Sequence, residues 1–275
     1  MIRIAVLADI HGNLPAFEAA LKHVSQQKVD QIVLAGDIVI GSPDSKACWA
    51  LALSLGCPIL RGNHERYVAH FGTSKASPLW SMEQFAPLQW AVEQLSEQDR
   101  ECMEQLPLNL RLPEAPNLFV VHATERDDHD TVLSYTPEQV LHEMFPTAQE
   151  RYIIRAHNHI GQMRTWKKGF IITCSSVGLP LDSNPTAQYL LLDQEKNGWK
   201  ITHQSVTYHL DATTNRFHDT GYLSSVGPMG HLFFREVVTA SQQIVPFLRL
   251  FTQWSKQGDI SLSQAVDRFL SLSFR

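Results

Sequence analysis

Short apolar runs that end in metal-type side chains constrain this chain more than any other feature of its sequence. Runs such as Ile4–Ala8 and Ile32–Gly36 have the length and composition of buried strands, and each ends in a break. In an open α/β sheet, side chains that leave the ends of parallel strands converge on one crevice. The residues at these ends form five clusters along the chain: Asp9-x-His11, Asp37, Asn63-His64, His122 and His157-x-His159. The pattern predicts an α/β sheet with a metal site at its strand ends.

One such cluster alone would mean little, because a lone His-x-His pair is more often a surface or core feature than a ligand pair. Five clusters in order, each at the end of a predicted strand, are rarely produced by chance. Zinc-, manganese- and iron-type ions accept imidazole and carboxylate ligands together. The conjunction therefore favours a metal-dependent hydrolase.

Composition narrows the class of protein further. The 275 residues suit one large domain or two small ones, and the 44% hydrophobic content suits a soluble globule. A net charge of −5 argues against strong general binding of nucleic acid. No apolar run is long enough to span a membrane, and no cleaved signal peptide is expected, because cleavage would remove the strand leading to Asp9. The four cysteines show no C-x-x-C pairing, which favours reduced thiols in a cytoplasmic protein.

The N-terminal part of the chain predicts alternating strands and helices. Residues 1–65 are expected to form β-α-β-α-β, with Asn13 capping a first helix and Pro15 in its first turn. A second helix is expected from about Ser45 to Leu55, with Gly56 ending it. Such units favour a largely parallel sheet covered by helices on both faces.

The remainder of the chain changes character twice. Residues 66–116 are predicted to form a helical cap insert, and the strands after His159 are predicted to form antiparallel hairpins of a second, stacked sheet. Residues 210–275 return to helix, with an apolar face near 237–250 that either packs on the main body or forms a homodimer contact. We expect one domain over 1–275, with a core of about 1–209 and a helical C-terminal extension.

The types of side chain suggest how two metal ions would be held. Asp37 is the candidate bridge, since a carboxylate can contact two metals at once, while Asn63 offers a neutral oxygen. Two ions roughly 3.5–4 Å apart can hold a hydroxide aimed at phosphorus. His64 follows directly on Asn63 and is predicted to protonate or stabilise the leaving oxygen.

The same residues resemble the calcineurin-like metallophosphoesterase superfamily, in particular its small stand-alone prokaryotic phosphodiesterases and phosphatases. The family pattern of D-x-H, G-D, G-N-H, H and G-H-x-H is matched by the motifs Asp9-Ile10-His11, Gly36-Asp37, Gly62-Asn63-His64, His122-Ala123 and Ala156-His157-Asn158-His159. The resemblance covers roughly residues 2–209. It implies two stacked mixed β-sheets flanked by helices.

The resemblance also implies a ligand set. One metal would take Asp9, His11, Asp37 and His159, and the other would take Asp37, Asn63, His122 and His157, with His64 as the catalytic histidine. Manganese is the favoured metal, and iron, zinc and nickel are alternatives that suit the same ligands. The predicted reaction is hydrolysis of a phosphodiester or nucleotide-type phosphoester by direct attack of a metal-bridging hydroxide.

Departures from the family pattern bear on the subclass. Ala156 and Ala123 stand where glycine is usual, and Leu181 stands where many relatives carry a basic residue, so one substrate contact is expected to be missing. Ile40 occupies the place of the tyrosine ligand of purple acid phosphatases, and Ile40-Gly41-Ser42 replaces part of the protein Ser/Thr phosphatase signature. A protein phosphatase is therefore not expected.

The substrate is less well defined by the sequence. A small phosphoester or nucleotide is expected, with Asn13 and Arg66 as candidate contacts, although a surface ion pair explains Arg66 equally well. The aromatic residues of segment 66–95 are favoured as the core of the cap, with stacking on a nucleobase as the alternative. A catalytically silent metal-binding scaffold and a nuclease remain alternative functions.

Overall fold

Two mixed β-sheets form the centre of the protein. The computed structural model describes residues 1–272, so that the last three residues of the predicted extension lie outside the described part. Its strands are, in chain order, β1 (Arg3–Leu7), β2 (Gln31–Leu34), β3 (Asn109–Leu110), β4 (Leu118–Val121), β5 (Tyr152–Arg155), β6 (Gln162–Trp166), β7 (Gly169–Thr173), β8 (Ala187–Glu195) and β9 (Gly198–Val206). The first sheet has the order β2-β1-β8-β9 and the second β3-β4-β5-β7-β6.

Parallel and antiparallel pairs are combined in both sheets. In the first sheet β1 runs parallel to β2 and antiparallel to β8, which pairs with β9 as a hairpin. In the second sheet β4, β5 and β7 are mutually parallel, while β3 and β6 are antiparallel edge strands. The ends of β1, β2, β4 and β5 thus carry the predicted metal clusters.

The alternation of side chains along β1 shows how the layers are held. Ile4 and Val6 are fully buried with Ile154 in a core between the two sheets. Ala5 and Leu7, on the opposite face, are buried beneath the helices. Since successive strand residues point to opposite faces, a strand that is apolar throughout must be covered on both sides. This confirms the predicted α/β sandwich with flanking helices.

Helices flank the sheets along the whole chain. They are α1 (Leu14–Gln26), α2 (Ser45–Ser54), α3 (Asn63–His70), α4 (Ala86–Gln94), α5 (Glu97–Glu104), α6 (Glu138–Met144), α7 (Leu210–Asp219), α8 (Tyr222–Val226), α9 (Pro228–Thr239), α10 (Ile244–Gln257) and α11 (Leu262–Ser271). The predicted cap of α1 is confirmed, because the Asn13 side chain accepts a hydrogen bond from the Ala16 amide. Helix α5 begins after Ser96, which forms a capping box with Asp99.

Two predictions about the strands were wrong. The expected third strand at Ile59–Leu60 is reduced to a single parallel bridge between Leu34 and Ile59. Pro58 has no amide hydrogen to donate, and the Arg61 amide turns away to bond the carbonyl of Pro107. The hairpins after His159 also do not form one sheet: β6–β7 extends the second sheet, whereas β8–β9 extends the first.

The C-terminal helices pack on the rest of the protein. The Tyr222 hydroxyl donates to the Gly41 carbonyl at 2.7 Å, and the Tyr222 ring meets Trp90 of α4 edge-on at 5.5 Å. Arg216 forms a bidentate ion pair with Asp44. Among residues 1–272, no helix combines the length and apolar character needed to cross a membrane.

Candidate metal centre

The seven predicted ligands meet at the carboxyl ends of the strands. Asp9 and His11 follow β1, Asp37 follows β2, Asn63 opens α3, His122 follows β4, and His157 and His159 follow β5. All but His157 are buried, and His157 is partly buried. The nearest pairs include the Nε2 atoms of His11 and His159 at 3.0 Å, and His122 Nε2 with Asn63 Oδ1 at 3.2 Å.

The backbone at this site is unusual for residues with a side chain. Asp9, His11, Asp37, His157 and His159 have positive φ angles of 53°, 51°, 55°, 70° and 59°. Such left-handed conformations are uncommon outside glycine and concentrate at functional sites. Backbone bonds between the loops fix them, including those from the Ile10 and His11 amides to the Asp37 carbonyl at 2.7 and 3.0 Å.

Two motif glycines make the close approach of these loops possible. A Cβ on Gly62 would lie 2.2 Å from Asp37 Oδ1. A Cβ on Gly36 would lie 2.7 Å from the Gly62 nitrogen, and Gly36 also has φ of +92°. The Gly-Asp and Gly-Asn-His motifs therefore need their glycines so that the second and third clusters can touch.

Backbone carbonyls orient three of the imidazoles. Nδ1 of His11 lies 2.9 Å from the Ile40 carbonyl, Nδ1 of His122 lies 2.8 Å from the Ala35 carbonyl, and Nδ1 of His159 lies 2.7 Å from the Leu179 carbonyl. A carbonyl can only accept, so each Nδ1 carries the proton and each Nε2 points into the site. Metal-binding histidines are commonly held in this way by their other ring nitrogen.

Burial controls the charge of these groups. It holds the pKa of His11 well below its ordinary value and lowers the pKa of His159 to about 4 and that of His157 to about 3. His11 and His159 are therefore neutral at pH 7, and their Nε2 lone pairs face each other at 3.0 Å. Two lone pairs cannot bond to each other, so this contact is favourable only with a cation between them.

The two carboxylates of the site, Asp9 and Asp37, affect the pKa values of their neighbours. Burial raises the pKa of Asp9 to about 8, and the nearby charge of Asp37 adds to the rise. Burial also opposes the charge on His122, yet Asp37, with Oδ2 3.4 Å from Nε2, raises the pKa of His122 to about 9. Asp9 Oδ1 and His157 Nδ1 are buried and have no hydrogen-bond partner. Unsatisfied buried atoms of this kind are rare, and these two fit a cation as the missing partner.

Two buried charged residues outside the predicted ligand set support the loops. The Glu65 carboxylate accepts hydrogen bonds from the amides of Asp37, Ile38 and Gly62 at 2.7–2.9 Å. The Arg155 guanidinium, fully buried, donates to the Ala123 carbonyl at 2.7 Å and the Asp130 carbonyl at 3.0 Å. Glu65 lies within the Gly-Asn-His-Glu stretch, so its position was a usable signal, whereas Arg155 stands in an apolar run and offered none.

The structure accommodates the alanines that replace the usual glycines. Ala123 and Ala156 are fully buried, and the Ala156 amide still donates to the His122 carbonyl at 2.7 Å. The His157 amide reaches Asp9 Oδ2 at 3.1 Å. The added methyl groups therefore leave the ligand-bearing turns in place.

His64 lies beside the ligands and faces the open cleft. Its amide donates to Asp37 Oδ1 at 2.9 Å, and its Nδ1 lies 3.2 Å from the Val39 carbonyl. Its ring packs edge-on against that of His11 with centroids 4.7 Å apart. A cleft of about 370 Å³ opens over His64, Asp37 and His157.

The two predicted substrate contacts have other partners in the structure. Asn13 is 1% exposed, and its side chain bonds to the Gly178 carbonyl and to Thr213 as well as capping α1. Asn13 thus has a structural role at this position, and its role as a substrate contact stays a prediction. Arg66 forms a partly buried, bidentate ion pair with Asp128 at the edge of a second cavity of about 330 Å³ beside His122, and its role as a substrate contact stays a prediction.

The aromatic segment 66–95 belongs mainly to the core, as favoured by the sequence. Trp80 is 7% exposed, and Tyr67 packs against it at 5.1 Å between ring centroids. Tyr67 and Phe85 nevertheless also line a pocket next to His64. The segment therefore combines the core role with a position at the edge of the site.

The fold and this cluster of imidazoles and carboxylates at strand ends define a phosphoesterase. The chain belongs to the calcineurin-like phosphoesterase family, whose model matches residues 2–161. It is similar to an uncharacterised protein of Methanocaldococcus jannaschii, with 22% identity over 209 residues, 70% of this chain and 83% of that protein. The predicted family resemblance is confirmed.

Solved structures share the architecture. A metallophosphoesterase from Sphaerobacter thermophilus matches with a TM-score of 0.69 and 21% identity, over 87% of this chain and 99% of that one. A hypothetical protein from Pyrococcus horikoshii matches with a TM-score of 0.72 and 20% identity, over 88% of this chain and 100% of that one. The matches confirm the metallophosphoesterase fold, and family membership supports a phosphoester hydrolase with divalent metals.

Proposed function

We propose that this protein is a dinuclear metal-dependent phosphoesterase that hydrolyses a phosphodiester or nucleotide-type phosphoester. The observation that carries the proposal is the contact between His11 and His159, whose neutral Nε2 atoms face each other at 3.0 Å. The unpartnered Asp9 Oδ1 borders the same contact, with His159 Nε2 3.8 Å away. This donor set fits a cation and has no other satisfying partner among the described side chains.

The geometry supports a ligand set divided between two ions around Asp37. Asp9, His11 and His159 form one group of ligand atoms within 4.8 Å of one another, and Asp37, His122 and His157 form another. Asp37 Oδ2 lies 3.9 Å from His11 Nε2 and 3.4 Å from His122 Nε2, so one carboxylate reaches both groups. Asn63 completes the second group. When bound, the ions would supply a nucleophile at neutral pH and charge neutralisation on the phosphoryl oxygens.

His64 is assigned the role of protonating the leaving group. Its backbone amide is bonded to Asp37, so the side chain extends past the ligands into the cleft. In the imidazolium form, Nδ1–H is held by the Val39 carbonyl and Nε2–H is available to protonate the leaving oxygen. Proton donation of this kind typically contributes about 10²–10⁴-fold to rate.

A small substrate fits the surroundings of the site better than a long polyanion. The cleft measures about 370 Å³. The chain carries a net charge of −5. This charge opposes a nuclease, because nucleic-acid binding depends on neutralising many phosphates. Manganese is the metal we propose, since the N/O ligand set suits it.

The test is hydrolysis of an aryl phosphodiester and an aryl phosphomonoester by metal-stripped protein, before and after manganese is added. Activity is expected only with metal, and Asp37→Ala is expected to lower it roughly 10³-fold or more, a loss comparable to removal of a key electrostatic group. Asp193→Ala, which removes a surface partner of Arg3, is the matched control. Metal binding without turnover of either ester would favour the scaffold alternative, and digestion of DNA with manganese would favour the nuclease.

A further inference from the structure

An apolar pocket adjoins the metal-centre cleft on the side of His64. It has a volume of about 130 Å³ and lies between the 66–95 segment and helices α9 and α10. One wall is formed by Tyr67, Phe85 and Leu88, and the opposite wall by Phe233 and Leu248. The lining is mostly carbon, so the pocket suits an apolar group.

The pocket and the cleft adjoin each other. His64, Phe233 and Ile244 line both of them. In the proposed function, His64 protonates the oxygen that leaves phosphorus. A group attached to that oxygen therefore lies at the entrance of the pocket, and the apolar walls are the surface that it meets.

The size of the pocket limits the group that it can hold. A closed apolar cavity of ~150 Å³ is known to take one benzene molecule. The pocket of about 130 Å³ is close to that size. It suits one aromatic ring and is too small for a fused, two-ring system held entirely within it.

The two walls differ in how firmly they are fixed. Leu88 is 3% exposed and belongs to the main helical core, and Tyr67 is held against Trp80. Leu248 on α10 is 38% exposed, and the neighbouring Val245 at the cleft is 47% exposed. When a ring covers exposed apolar side chains at the mouth of a pocket, apolar surface is removed from water, and this burial favours binding.

We propose that this pocket binds an aromatic ring attached to the leaving oxygen, so that the protein selects phosphoesters with a single-ring aromatic group. The inference rests on the proposed function and adds the chemical class of its leaving group. Leu181, which stands where many relatives carry a basic residue, lines the adjoining cleft and adds to its apolar character.

The test compares the binding of phenylphosphonate and methylphosphonate to the manganese-loaded protein by calorimetry. Neither compound has an ester bond to hydrolyse, so the measurement is independent of turnover. Phenylphosphonate is expected to bind about tenfold more tightly or better, from the apolar area that its ring buries. Leu248→Asn is expected to bring this ratio to within about threefold of one while the affinity for methylphosphonate stays unchanged. Phe233→Ala is expected to lower the ratio as well.

Leu53→Asn is the matched control, because Leu53 on α2 is 44% exposed and does not line the pocket. It should leave the phenyl preference intact. Equal affinities for the two phosphonates in the unmodified protein, or a preference that survives both pocket variants, would overturn the inference and leave the proposed function standing. Failure of both phosphonates to bind, together with absence of metal-dependent hydrolysis, would overturn the proposed function and the inference with it.

Discussion

The metal-centre cleft has two walls of opposite character. One wall consists of strand-end loops, whose polar ligands such as Asp9 and His11 are at most 1% exposed and adopt left-handed conformations. The other wall is helical and mainly apolar, with Phe233, Ile244 and Val245, and Val245 remains 47% exposed. The first wall is built by short motifs, each next to its own strand. The second is built by helices more than 200 residues from β1 that reach the site only through packing. The loop wall thus holds the groups suited to chemistry, and the helical wall presents the surface suited to selecting a substrate.

Two glutamates show the same contrast at the level of single residues. Glu65 is fully buried and accepts three backbone amides that belong to the ligand loops. Glu236 is 5% exposed and accepts the amides of Gln243 and Ile244 at the start of α10, the first of these at 2.5 Å. Each carboxylate holds a turn that forms one wall. Substitution of the two should therefore affect different properties.

The largest effect is expected from His64→Ala, which tests the assignment of proton donation to the polar wall. The turnover number should fall about 10²–10⁴-fold, while the manganese content stays unchanged, because His64 is not in the proposed ligand set. The loss should be smaller for esters with a more acidic leaving group, which need less help from a proton. Steady-state kinetics on a series of substituted aryl esters measures this dependence.

His70→Ala is the matched control for that variant. His70 lies on the same helix, but its Nε2 is bonded to Glu104 at 2.8 Å, away from the ligands. It should retain full turnover. A His64→Ala variant with an equal loss for every leaving group would contradict the role of proton donor.

A smaller effect is expected from Glu65→Gln, which weakens the support of the polar wall. A neutral amide offers one acceptor oxygen to three amide donors, so the Asp37 loop and Gly62 lose part of their anchoring. Removal of such outer-shell support typically costs about 10–100-fold in metal affinity. Titration of metal-stripped variant and parent with manganese measures the ratio.

Glu236→Gln serves as the comparison here, since it also neutralises a buried carboxyl that accepts backbone amides. Its metal affinity should equal that of the parent. If both variants lost metal to the same degree, the two walls would not be separable in the way the structure indicates.

The smallest effect is expected in the pH dependence of stability at the apolar wall. Burial raises the pKa of Glu236 from 4.5 to about 7. A raised pKa means that the folded state favours the protonated form, so this contribution to stability is complete below about pH 4.5 and is lost as the pH rises to about 7. Across that window the free energy of unfolding of the parent should fall by about 1–3 kcal/mol relative to Glu236→Gln.

Urea unfolding of both proteins between pH 4.5 and 8 measures this difference. The metal groups titrate alike in parent and variant, so they cancel in the comparison. A difference that stays constant over the whole range would show that Glu236 keeps its ordinary pKa and that the wall is open to water.

Much of the polar wall could be predicted from the sequence because each part is local. Apolar runs such as Ile4–Ala8 indicate buried strands, and the residue that ends each run must lie at the edge of the sheet. Asn13 and Ser96 cap helices with their own side chains, so the starts of α1 and α5 were also predictable. The convergence of the ligands then follows from the parallel pairing of neighbouring strands.

Predictions that depended on distant partners were less successful. The hairpin β8–β9 was predicted from its own turn, but its pairing with β1 joins residues 184–190 positions apart, and nothing local specifies that choice. The hydrogen bonds of the Asn13 side chain with Gly178 and Thr213 likewise join distant segments and had no local signal. The apolar face near 237–250 was recognised, but its position beside His64 was not.

By itself, the sequence determined the family and the strand ends that carry the predicted ligands. These features depend on chain geometry within a few residues, such as the alternation of side chains along a strand. Only the tertiary structure decided which carbonyls fix the imidazoles, that His11 and His159 face each other, and that Phe233 and Leu248 form a pocket next to His64. Those contacts join segments far apart in the chain, where the packing of the whole molecule selects the neighbours.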